Sequence, residues 1–313
     1  EVGRDALAMG DDPERVEFVV QGQLVCNATG RDSVLFTSAA SHPLPGDWSG
    51  VVMGASARGF MRRTRIEYAQ TGLRAAGLAL QAAESARGVQ VLTLDEVDIH
   101  NASADGIRLR DIEESLRFTG VGIRHAGGVG LSISGSGLVR INGAVIEHNA
   151  GGGLRREGGF LELTQSVFVD NGLGVEEGAN VRLGREVFGE VKNNRLSGGV
   201  GIDCYQCKEV VLSENVFENF DLGLRLVSSR PRIFSNRFTG GQLAMHISGS
   251  AVPIRLDLNI VQDSQELVVS DASIEVVAIN NWWGSDDETL IERGMQGQIR
   301  WKPFLNFDPR APL

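Results

Sequence analysis

The chain has 313 residues, of which 42% are hydrophobic, 40 are Gly and only 8 are Pro, and its net charge is −10. That apolar fraction is enough for a real core, and Gly without a G-X-Y period excludes collagen. The acidic balance argues against nucleic acid or an anionic membrane surface as a partner.

No run of 18 apolar residues occurs, so no segment is expected to insert into a membrane. No signal peptide is visible either, and Glu1 is read as the start of a processed or trimmed product. Basic residues are 27 Arg and only Lys192, Lys208 and Lys302, a bias ascribed to genome composition rather than chemistry.

Strand-like sequence begins by Val16, and residues 1–58 are read as N-terminal coils. From Ile66 a series of apolar positions follows: Ile99, Ile123, Ile146, Phe168, Leu196, Phe217, Phe238, Val261 and Trp283. Most intervals are 21 to 24 residues. A repeat this long is one supersecondary unit stacked many times. Two intervals are longer. Ile66 to Ile99 spans 33 residues, and the excess is placed in an Ala-rich insertion from Ala75 to Arg87. Phe168 to Leu196 spans 28, with a smaller insertion expected near Gly184 to Lys192.

The unit Glu209–Ser229 shows the internal pattern. Three stretches, Val210–Leu212, Val216–Glu218 and Leu224–Val227, alternate apolar and polar residues, which is strand periodicity. Turn residues separate them, so each coil is expected to be a triangle of three strands stacked at about 4.8 Å. The fold class is therefore all-β, a solenoid of about 22-residue coils over residues 59–284.

Two columns punctuate the coils. Asn194, Asn215, Asn236, Asn259 and Asn281 each stand two residues before a large apolar residue. They are read as structural: Asn tolerates a left-handed bend, and stacked amides bond coil to coil. Ser166 and Ala144 replace Asn farther upstream. The second column is Gly72, Gly106, Gly130, Gly153, Gly174, Gly201 and Gly223, expected to supply sharp turns with positive φ.

Residues 285–313 are read as a cap over the raw strand edges. Ser285-Asp-Asp-Glu288 resembles a capping box opening a helix to about Arg293, ended by Gly294. Trp301, Phe304 and Phe307 are expected to supply the cap's apolar contacts. Three cysteines, Cys26, Cys204 and Cys207, give no disulfide framework. Cys204-Tyr-Gln-Cys207 lacks the second ligand pair a zinc site needs, and a bridge between its two thiols is left open.

The pattern N-x-F-x-x-N-x-x-G-[IL]-x-L over about residues 60–283 resembles the right-handed parallel β-helix repeats of the pectin-lyase-like superfamily. Two further stretches are similar to its secreted bacterial members: Val34–Ser38 with Gly46–Gly50, and Asn280–Gly284 ending in Ile299–Leu305. The resemblance implies an extracellular, cell-surface or periplasmic location in a bacterium. It also implies that any site lies on the outer face of the first sheet, where inward and outward residues alternate. The outward candidates are Arg108, Arg110, Ser132, Ser134, Arg155, Glu157, Glu176, Asp203, Tyr205, Arg225, Ala244 and His246.

Of these, Arg108, Arg110, Arg155, Glu157, Tyr205, Arg225 and His246 are the candidate binders of an acidic glycan, through Arg forks and a Tyr face. Asp203, Arg225 and Glu176 are the candidate catalytic set of a lyase, in which carboxylates hold Ca²⁺ and Arg takes a proton. No other cofactor or metal is expected. The carboxylates are too few to hold Ca²⁺, no close carboxylate pair marks a hydrolase, and the signatures N-T-D, D-D, G-H-G and R-I-K are not found in order. Asp286 and Asp287 fall in the cap, while His125 and His148 fall near bends. The preferred expectation is a non-catalytic scaffold or recognition module that partners an acidic polysaccharide or other subunits of a surface assembly. The alternative is a lyase, hydrolase or epimerase acting on an acidic glycan.

Overall fold

The computed structural model describes residues 12, 14–30, 32–78, 90–249 and 253–309. Strands wind in three parallel ladders. The first ladder is a sheet of twelve strands, from Glu17–Val20 to Met295–Gln296, with neighbours paired in chain order. At about 4.8 Å per strand it is about 53 Å long. The other two ladders share one sheet because two long strands, Arg58–Glu67 and Leu92–His100, run through both. They turn the corner at Arg63 (φ 48°) and Glu96 (φ 51°).

The predicted apolar series is a true column. Ile66 pairs with Ile99, then Ile123, Ile146, Phe168, Leu196, Phe217, Phe238 and Val261 in successive ladder positions. All are buried, and Phe217 stacks on Phe238 with ring centroids 4.4 Å apart and planes 5° from parallel. The interior is thus a stack of like on like, because parallel in-register pairing sets equivalent residues of successive coils one strand spacing apart.

The Asn column forms a continuous amide ladder. Asn215 Nδ2 donates to Asn236 Oδ1 (3.0 Å) and to Val191 O (2.8 Å), and its Oδ1 accepts from Asn194 N and Nδ2. Ser166 continues it: its N–H donates to Asn194 Oδ1, and its Oγ accepts from Ala144 N. The left-handed bend, however, falls one residue earlier than expected, at Asn193, Glu214, Ser235, Leu258 and Asn280, with φ of 56° to 58°. The ladder Asn therefore follows the bend with its side chain inside, answering buried backbone groups there. A second, unforeseen ladder joins Asn149, Asn171 and Asn180 at the corner before the first sheet.

The Gly column needs a different reason from the one expected. Gly72, Gly106, Gly130, Gly153, Gly201 and Gly223 do not have positive φ. A Cβ on Gly223 would lie 2.7 Å from both Ala244 O and Phe238 Cδ1, so the column lets backbones pass close over the aromatic stack. Gly174 is not in it; register places Asn180 there, and Ala244, expected outside, is buried at the same position.

Both insertions shift. Ala75 and Ala76 belong to the strand Leu73–Ala76, paired with Ile107–Arg110, and residues 79–87 of the expected insertion lie outside the described residues. Val187–Lys192 is a regular ladder strand on Gly159–Thr164. The extra residues of that coil lie mainly in the turn 172–178, because the offset changes from Asn149–Asn171 to Leu154–Val181.

A helix, Glu288–Arg293, opens the C-terminal segment. Its N-cap is Asp287, which accepts from Thr289 N at 2.8 Å, rather than Ser285, which accepts from Asp287 N. Gly294 ends it in right-handed geometry. Trp301 and Phe304 pack against the core, but Phe307 is 61% exposed and makes no such contact. Cys26, Cys204 and Cys207 are buried free thiols. The hydrogen bond between Cys204 and Cys207 raises the first thiol well above its ordinary range, with burial adding to the effect, and lowers the second.

Candidate ligand-binding face

Parallel register turns the outward position of the first sheet into a row. In successive coils it holds Arg74, Arg108, Ser132, Arg155, Arg182, Asp203, Arg225 and His246. Each strand contributes one side chain because alternate residues face out. From Arg74 to Arg225 the row covers six strand spacings, about 29 Å. A second row, two residues along each strand, includes Arg110, Ser134, Glu157 and Tyr205.

The seven candidate binders all lie on this face. Two catalytic candidates, Asp203 and Arg225, are also brought together there. Glu176 is not: it is exposed in the turn 172–178, and the outward position of its coil belongs to Arg182. Misplacing the insertion caused that error. Arg74 was missed for a related reason, since its strand was read as running into the Ala-rich insertion. Alternation with Leu73 and Ala75 was the signal for it.

Most of the cations are held by acids. Arg74 is bonded to Glu17, and Arg108 Nε to Asp105 Oδ2 at 2.6 Å. Arg182 reaches Glu177 (2.9 Å) in the inserted turn, which holds that carboxyl below its ordinary pKa. Asp203 is 3% exposed between two arginines; its Oδ2 is 3.0 Å from Arg225 and 3.8 Å from Arg182. Its Oδ1 has no hydrogen-bond partner among the described residues. His246 Nε2 lies 3.0 Å from Asp271. Arg155 and Arg110 have neither a hydrogen bond nor an ion pair from their side chains among the described residues. Tyr205 has the guanidinium of Arg185 over its ring at 5.7 Å.

At the N-terminal end, Arg74, Arg108 and Arg110 line a cavity of about 400 Å³ whose floor is Val19, Val52 and Met53. Cationic donors over an apolar floor suit an anionic ligand with an apolar body.

The residues proposed for Ca²⁺ do not fit it. Glu176 is off the sheet, and Asp203 is bracketed by guanidinium groups, with Arg225 at 3.0 Å and Arg182 at 3.8 Å. Among the described residues no three His, Cys, Asp or Glu side chains are grouped to hold a metal.

The alternation that places Arg155 and Glu157 outside puts Arg156 inside. It is 0% exposed, between Ile133 and Leu183 in the interior. Nη2 donates to Gly137 O at 2.7 Å, Nε has no hydrogen-bond partner among the described residues, and burial pushes its pKa down to about 10.

With this geometry, the chain belongs to the right-handed β-helix family: the family model for the right-handed beta helix region matches residues 85–286. No curated protein and no solved structure matches it. Among the described residues no helix is long and apolar enough to cross a membrane.

Proposed function

We propose that the protein is a non-catalytic recognition module, extracellular or in a bacterial envelope, that binds an acidic polysaccharide along the first-sheet face. The observation that carries this reading is the in-register row from Arg74 to Arg225, with its cavity of Arg74, Arg108 and Arg110 at one end. A polymer laid along the solenoid axis meets a donor at most strand spacings. Arginines already oriented by carboxylates lose little side-chain freedom on binding, and each keeps N–H groups for a ligand. Because acids offset much of the row's charge, affinity comes from hydrogen-bonded forks more than net attraction. Among the described residues, Arg110 and Arg155 are on the face without an ion pair, as is Arg185 over Tyr205.

The enzyme reading rests on Asp203, whose buried Oδ1 lacks a partner beside Arg225. Against it, Arg225 Nη2 is engaged by that carboxylate at 3.0 Å, and a guanidinium is a poor general base. The double variant Arg110→Gln, Arg155→Gln should weaken binding of a uronate polymer at least tenfold with an unchanged melting temperature. Undiminished binding in that variant would remove the face from the account. An absorbance rise from unsaturated product, abolished by Arg225→Ala, would instead establish a lyase.

A further inference from the structure

A second cleft lies away from the first sheet, where the strands Arg232–Phe234 and Leu256–Asp257 pair. It has a volume of about 700 Å³, within the range of small-molecule sites. Its walls carry Arg230, Arg232 and Arg255, and its apolar surfaces are Pro231, Phe234 and Leu258.

The charges here are out of balance. Register from Ile233–Leu256 sets Arg232 opposite Arg255, and like charges directly opposite on a ladder are destabilising. Among the described residues a single carboxylate lines the cleft, Asp257, whose Oδ2 is 3.4 Å from Arg255 Nε. Arg232 lies over the ring of Phe234 at 5.8 Å and makes no ion pair among the described residues. Arg230 stands two residues before it, across buried Pro231, and also has no ion pair among the described residues. The residue before a proline is extended, so both guanidinium groups leave on one side. Flanking coils do not settle the excess. Lys208 pairs with Glu186, Glu275 pairs with Arg300 at 3.1 Å, and Glu209 makes no ion pair with Arg230. The cleft thus holds two arginines without an ion pair among the described residues, beside a half-buried aromatic and an exposed leucine.

We infer that this cleft is a binding site for a small ring compound bearing a phosphomonoester, such as an aryl or sugar phosphate. These two guanidinium groups match a dianion, and Arg forks bond phosphate oxygens in pairs. The apolar surfaces take the ring. The phosphomonoester, with a second pKa of about 6, is dianionic at neutral pH. A sulfate ester or a carboxylate of the same ring offers one negative charge. The inference is independent of the first-sheet row, which lies on another face, so either can fail alone.

The test is calorimetric titration with phenyl phosphate, phenyl sulfate, benzoate and inorganic phosphate. Phenyl phosphate should bind at least tenfold more tightly than phenyl sulfate or benzoate at pH 7.5. That advantage should vanish by pH 5, where the phosphomonoester becomes a monoanion. Arg230→Gln and Arg232→Gln should each cost about tenfold or more; both residues are exposed, and unchanged melting would show that the fold is intact. Phe234→Ala should weaken phenyl phosphate but not inorganic phosphate. Equal affinity for phosphate and sulfate esters, binding indifferent to the Arg variants, or no saturable binding at 10 mM would overturn the inference.

Discussion

Asn215 shows how one side chain can serve two coils. It bonds Val191 O on one side and the amide ladder on both. Its replacement by Ala strands donors and acceptors that water cannot reach, so Asn215→Ala should cost about 1–3 kcal/mol in denaturant unfolding. Phe217→Ala should cost about 3–5 kcal/mol, because the rigid stack cannot close the cavity. Arg156 runs the other way. Its pKa, pushed down by burial to about 10, is below the ordinary arginine value, a cost of about 3 kcal/mol to the charged folded state at neutral pH. Since the unfolded chain binds the proton more tightly, stability should rise as pH climbs above about 10. Arg156→Met, which keeps the length and removes the charge, should stabilise by about 1–3 kcal/mol at pH 7 and abolish that rise. A lower melting temperature would mean that the bond to Gly137 O outweighs burial of the charge. Asp47 has the opposite sign. Hydrogen bonds from Ser38 Oγ (2.6 Å) and Leu44 N (3.0 Å) hold its carboxyl below the usual value. The stability it contributes is complete above about pH 4 and lost as pH falls through the lowered pKa. Acid unfolding of Asp47→Asn should lack that step.

The elements divide by how local their causes are. The apolar column was legible because equivalent residues recur at one period and alternation sets which face they take. Arg108, Arg155, Asp203, Arg225 and His246 were legible for the same reason. Glu176 and Arg182 were exchanged because an insertion of a few residues leaves the period unchanged on either side, and composition does not say at which corner it sits. Only the offset between Asn149–Asn171 and Leu154–Val181 places it in the turn 172–178. The Gly column was found, but its cause, the approach of one coil's backbone to the next over an aromatic ring, exists only once coils stack. Gly223→Ala should therefore destabilise by about 1–3 kcal/mol through overpacking, despite an ordinary φ. A neutral Gly223→Ala would show that the stack yields more than this geometry allows.

At the scale of the molecule, a parallel solenoid converts one outward position per coil into a linear array with a fixed pitch. The twelve-strand sheet makes the row from Arg74 to Arg225 about 29 Å long, and its ligand is argued to be a polymer for that reason. Length dependence separates this from a point site. Calorimetric titration with uronate oligomers of increasing length tests it most directly. Affinity should climb with length until the oligomer reaches about 29 Å, then level off. An affinity that is the same for the shortest and longest oligomers, or no binding at any length, would contradict the account.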